Sequence, residues 1–157
     1  MSTISLGIYL TLWNRDDLNG SPVLQTLKSG YPHVTLLYAG KHLHPTDVQN
    51  TLNKSLNTFL LKDVTLTHAE ISSFTKESTG EQRHDVLCHL SKEDKKEIEA
   101  FREKQIRNVY KNDKLIMRDP HVTSAIFSTR KEAEDHLKTI QALLPYKATI
   151  VGATVST

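Results

Sequence analysis

Pro32-His33-Val34-Thr35-Leu36-Leu37-Tyr38 and Pro120-His121-Val122-Thr123-Ser124-Ala125-Ile126 are the two stretches on which the fold turns. Both begin with the tetrapeptide Pro-His-Val-Thr and run on into apolar residues. Each reads as a strand entered through a proline, because β-branched and aromatic types favour strands and proline is tolerated at a strand's first residue. Side chains two apart in a strand share a face. His33 and Thr35 therefore point one way and Val34 the other, and His121, Thr123 and Val122 repeat the arrangement. Each motif delivers one imidazole and one hydroxyl to a common surface. A strand of this kind followed by an amphipathic helix occurs once in each half of the chain, which predicts two related lobes.

The pattern extends outward from these strands. The apolar run over 4–13, stopped by Asn14-Arg15-Asp16-Asp17, predicts a buried strand. Pro22 to Lys28, closed by Ser29-Gly30, fits a short helix. Pro45 opens a longer helix whose apolar stripe is Val48, Leu52, Leu56, Phe59 and Leu60. Residues 63–73 and 84–90 are strand-like, and the polar stretch 76–81 joins them as a hairpin-like loop. Ser91 with Asp94 resembles a capping box for a helix striped by Ile98, Phe101, Gln105, Ile106 and Val109, its Lys and Glu residues forming a solvated face. A strand over 121–127 follows. Thr129 with Glu132 then caps a helix striped by Ala133, Leu137, Ile140 and Leu144, and 146–155 is a last strand. Helices mixed with antiparallel strands place the chain in the α+β class.

Composition narrows the functional classes. A chain of 157 residues, 38% hydrophobic and 24% charged, has the make-up of one soluble globular domain spanning 1–157. No stretch approaches the roughly 20 apolar residues of a membrane helix, and the N-terminus carries no secretory leader, so the expected address is cytoplasmic, without membrane contact. Cys88, the single cysteine, sits in a strand-like segment and reads as a small buried apolar residue rather than a nucleophile. A net charge of +2 is too small for a surface that coats duplex DNA, so any nucleic-acid contact is local.

The paired histidines carry the chemistry. Imidazole, with an unperturbed pKa of about 6.5, gives or takes a proton near neutrality. Phosphate-ester cleavage needs both acts, one histidine deprotonating the attacking hydroxyl or water while the other protonates the departing oxygen. The two threonine hydroxyls can donate to the non-bridging phosphoryl oxygens. The shorter pattern His-x-Ser/Thr also occurs at His44-Pro45-Thr46 and His89-Leu90-Ser91, but neither repeats the proline-led strand context, and both read as decoys. A plainer alternative makes His33 and His121 half-buried strand residues satisfied by hydrogen bonds. Duplication in matching context favours catalysis. A metal site drawn from His42, His44, His84 or His89 lacks supporting cysteines and recognised ligand spacing, so neither metal nor cofactor is expected.

Two strand-borne His-x-Thr motifs in this order resemble the 2H phosphoesterase superfamily, which includes the LigT-like 2′-5′ phosphodiesterases, the 2′,3′-cyclic phosphodiesterases of RNA repair, and viral enzymes that destroy cyclic or 2′-5′ oligonucleotide immune signals. The resemblance implies a bilobal fold, with two antiparallel sheets flanking a central cleft and helices packed outside. It implies His33 and His121 as the acid–base pair and Thr35 and Thr123 as phosphate holders. Many bacterial members carry an arginine three residues after the motif's hydroxyl; here those places hold Tyr38 and Ile126. Arg118, just before the second motif, is then a candidate for neutralising phosphate, with Tyr38 beside it as a substrate contact. Tyr9 or Trp13 of the first strand is placed to stack on a base. The expected substrate is a nucleotide or short oligonucleotide, taken by a monomer: a cyclic or 2′-5′ oligonucleotide, or a 2′,3′-cyclic phosphate. The competing class is a module that binds nucleotide phosphates in the same cleft without turnover.

Overall fold

A computed structural model describes residues 4–11, 33–40, 46, 62–111 and 115–156, with the backbone alone for 4–11, 39–40 and 151–156. The helix expected over Pro22–Lys28, most of the helix opened by Pro45, and His42, His44 and Trp13 lie outside the described residues; Thr46 is helical.

Six strands carry the architecture: β1 (Ile4–Thr11), β2 (His33–Gly40), β3 (Asp63–Thr75), β4 (Gln82–Leu90), β5 (His121–Phe127) and β6 (Tyr146–Ser156). All neighbours are antiparallel, in the order β1-β2-β5-β4-β3-β6, and β6 returns to pair with β1. The two sheets expected to flank a cleft are thus corrected to one closed ring. The reason lies in its two seams. β3 pairs with β6 from Asp63↔Thr149 to Leu66↔Tyr146, which ties the halves together on one side. On the other side β2 and β5 meet at Val34↔Val122 alone. Ring closure removes the exposed strand edges that would otherwise invite pairing with other chains.

Two helical segments flank the ring. Ser91 caps α1 (Lys92–Phe101), its Oγ accepting from the Asp94 N–H at 3.2 Å and donating to Asp94 Oδ2 at 2.8 Å. The same carboxylate oxygen accepts from the Thr65 N–H at 2.7 Å, which fastens the start of α1 to β3. Thr129 caps α2 (Arg130–Gln141) in the same reciprocal way with Glu132. α2 lies against β3, β4 and β5, burying Ala133 and Ile140. Its His136 Nε2 is 3.1 Å from the Ser124 hydroxyl, so α2 covers the face of β5 opposite to His121 and Thr123.

The helical stripe after α1 breaks where the sequence predicts continuity. Ile98, Phe101 and Ile106 are buried, whereas Val109 is exposed. Residues Arg102–Arg107 form a π-helical turn, whose extra residue rotates everything after it; Ile106 turns inward, Val109 turns out, and Arg102 is brought into the interior at 2% exposure. Cys88 is fully buried, and burial pushes its thiol pKa up to about 11, as befits a small core residue.

Candidate active site

The register of β2 and β5 sets the site. Val34 faces Val122, so the antiparallel ladder puts His33 and Thr35 on the same face as His121 and Thr123, with Thr35 nearest His121 and His33 nearest Thr123. His33 and His121 are then diagonal neighbours, a relation that spans about 7–8 Å between strands, within reach of long side chains. Tyr9 occupies the register position opposite His33 on β1.

Beyond Val34 the strands part. Tyr38 and Ile116 exchange two backbone hydrogen bonds, of 2.8 and 2.9 Å. Between these two points β2 runs through Thr35, Leu36 and Leu37, while the facing chain takes the longer path through Met117, Arg118, Asp119, Pro120 and His121. The longer path bulges away and leaves a cavity of about 340 Å³, lined by Thr35, Tyr38, Ile116, Arg118, Asp119 and His121. On the β2 side, the carbonyls of Thr35 and Leu36 accept from buried Arg102, at 3.0 Å from Nη2 and 2.9 Å from Nε. The π turn thereby supplies the partners that an uninterrupted ladder would have supplied.

Hydrogen bonding defines the state of His121. Its Nδ1 lies 2.8 Å from the Asp119 carbonyl oxygen, which can only accept, so Nδ1 carries the proton and Nε2 is left to take one. Burial is the main influence on its pKa and pulls it below the usual histidine value, reinforced by His89 and Arg118 and opposed by the carbonyl and carboxylate of Asp119. Burial also opposes ionisation of Asp119, yet the Lys95 ammonium, 2.6 Å away, and His89 hold that carboxyl below its usual value.

Of the seven residues singled out from the sequence, Thr35, His121, Tyr38 and Arg118 line the one cavity. His33 and Thr123 share the cavity's face of the sheet through the β2–β5 register but are not among its lining residues. For Tyr9 the backbone position alone is described. Ile126 is partly exposed at the far end of β5.

His89, set aside as a decoy, belongs to the neighbourhood of the site. The β4–β5 register pairs it with His121, the two rings being 6.1 Å apart, and it stacks on His68 with centroids 4.7 Å apart. It is 7% exposed; its Nε2 contacts Glu70 at 2.9 Å and its Nδ1 lies 3.1 Å from the Asp119 carboxylate. The signal that could have found it is the alternation of β4, which places His89, Leu87 and Asp85 on one face opposite His121, Thr123 and Ile126. That needs the pairing of two strands distant in sequence. His84, the other described candidate for a metal, instead meets the Ser73 hydroxyl at 2.6 Å.

No protein-family model matches the chain, and no curated protein matches it in sequence. Among solved structures it is similar to a structure of Kluyveromyces marxianus Usb1 with uridine monophosphate, at 10% identity and a TM-score of 0.47, over 97% of both chains. No helix among the described residues is long and apolar enough to cross a membrane.

Proposed function

We propose that this chain is a phosphodiesterase that cleaves RNA-type phosphodiesters by two-histidine acid–base catalysis, in one domain of two related lobes, each contributing one Pro-His-Val-Thr strand. The observation that carries the reading is the Val34↔Val122 register, which sets two imidazoles and two threonine hydroxyls on one face of adjacent strands beside a cavity.

The roles follow from the state of each group. His121, its Nδ1–H held by a carbonyl and its pKa lowered by burial, is the general base, because a neutral imidazole with a free Nε2 lone pair accepts a proton. His33 is the general acid that protonates the departing oxygen. Thr35 and Thr123 hold the non-bridging oxygens, where charge sits in the transition state. The guanidinium of Arg118 in the cavity wall compensates the phosphate charge. Tyr38 and Ile116, both exposed and joined by their backbones, give the cavity an apolar side suited to a nucleobase or ribose.

The substrate class that fits is a nucleotide or short oligonucleotide: a cyclic or 2′-5′ oligonucleotide of the immune-signal type, or a 2′,3′-cyclic phosphate. A cavity of about 340 Å³ is at the lower end of ligand-pocket sizes and suits one nucleotide unit rather than a duplex. The test is hydrolysis of a panel of 2′,3′-cyclic nucleotides, cyclic dinucleotides and 2′-5′ oligoadenylates with EDTA present. Turnover of a panel member, lost in His33→Ala and in His121→Ala, is expected. Binding without product from any of them would make the cleft a recognition module, and activity lost to EDTA would contradict metal-independent chemistry.

A further inference from the structure

We propose that Lys95 is a positioning residue for His121, acting through Asp119. The inference deepens the catalytic reading and rests on it for its effect on rate, though not for its effect on the histidine ring.

Asp119 is used at both of its ends. Its carbonyl accepts the Nδ1–H of His121 at 2.8 Å, and its carboxylate accepts from Lys95 Nζ at 2.6 Å, with His89 Nδ1 3.1 Å from the same oxygen. Some fixture is required there. Residues 117–120 lie between the Tyr38↔Ile116 bridge and the start of β5, so no ladder fixes the direction of the Asp119 carbonyl. Pro120 biases Asp119 toward extended backbone but donates nothing itself. The side-chain anchor supplies the rest, and it comes from a rigid base, because the first turn of α1 is tied to β3 through Asp94 and Thr65.

The placement of Lys95 runs against local preference. A cation in the first turn of a helix opposes the macrodipole, and its side chain is only 24% exposed. Departures of this kind concentrate at functional sites. A second consequence follows from charge: Asp119 lines a cavity proposed to receive a phosphate anion, and the Lys95 ammonium neutralises that carboxylate from behind.

The experiment reads the ring of His121 directly, by nitrogen-15 NMR of histidine-labelled full-length protein, with the His121 signals assigned by their loss in His121→Gln. In the wild type His121 should be the Nδ1–H tautomer. In Lys95→Met, which keeps the apolar stem, we expect a mixture of tautomers and a kcat lowered by roughly 10- to 100-fold, the range seen when partners that orient a functional histidine are removed. Lys95→Arg, which restores a donor, should recover most of both. If Lys95→Met does not fold, Asp119→Ala must produce the same mixing. An unchanged tautomer in a folded Lys95→Met or Asp119→Ala variant overturns the proposal. If the tautomer responds but the wild type turns over no phosphodiester, positioning stands and the catalytic reading falls.

Discussion

The rings of His33 and His121 are each partly buried, so truncating either removes little packing and leaves its strand paired. His33→Ala and His121→Ala should each lower kcat by about a hundred- to ten-thousand-fold, the usual worth of a general acid or base, with melting temperature nearly unchanged. Thr35→Ala and Thr123→Ala should cost less, because a hydroxyl donor is one of several groups facing the phosphate. Steady-state kinetics beside thermal melts separate these outcomes, and a histidine variant that keeps most of its rate contradicts the acid–base assignment. The pH dependence has a definite sign. Burial holds the pKa of His121 below 6.5 and a base must be neutral, so kcat/KM should rise with pH through an acid limb lying below pH 6.5. The same limb falling with rising pH would make His121 the acid. These two histidines were legible from sequence because their tetrapeptide repeats in one chain, and duplication needs no knowledge of pairing. His89 was not, because its claim rests on the β4–β5 register, which joins residues 32 positions apart only once the strands are paired.

At the level of elements, the π turn over Arg102–Arg107 decides where a charged side chain ends up. The sequence places Arg102 among the charged residues of a solvated helix, and a regular 3.6-residue period would bury Gln105 and Val109 in step with Ile98 and Phe101. The buried residues are instead Ile98, Phe101 and Ile106, the last following Phe101 by a five-residue step that no α-helical stripe contains. A single π turn is set by tertiary packing rather than by propensity, which is why periodicity misses it. Its product is functional: Arg102 satisfies the Thr35 and Leu36 carbonyls beside the cavity. Arg102→Met would leave both without a partner in the interior and should destabilise the fold by about 2–4 kcal/mol in urea titration, since a buried polar group stripped of its bond costs about 1–3 kcal/mol. Arg102→Lys keeps the charge but not the fork, so it should recover part of that loss and no more. By contrast both capping boxes were readable, because Ser91 with Asp94 and Thr129 with Glu132 are local and depend only on spacing. Ser91→Ala should cost about 1 kcal/mol.

For the whole molecule, the strands themselves were readable and their closure was not. Alternation and turn residues locate β3, β4, β5 and β6 to within a few positions, but the sequence cannot show that β6 pairs with both β1 and β3 and so joins the ends of the sheet. Closure matters for function because the ring needs only one weak seam, at Val34↔Val122, to open a cavity without exposing a strand edge. A single cavity on a chain of net charge +2 also fixes how salt acts. Counterion release scales with the phosphates a protein neutralises, with a log–log slope of about −0.7 for each one on a single strand. One phosphate held beside Arg118 predicts a slope near −1 for binding of a substrate-length oligonucleotide to His121→Ala, measured by fluorescence anisotropy between low and physiological salt. Arg118→Gln should flatten that slope further while leaving the fold unchanged, because its guanidinium is exposed. A slope several times steeper would mean that binding draws on an extended cationic face rather than on the β2–β5 cavity, and the site would have to be sought elsewhere on the ring.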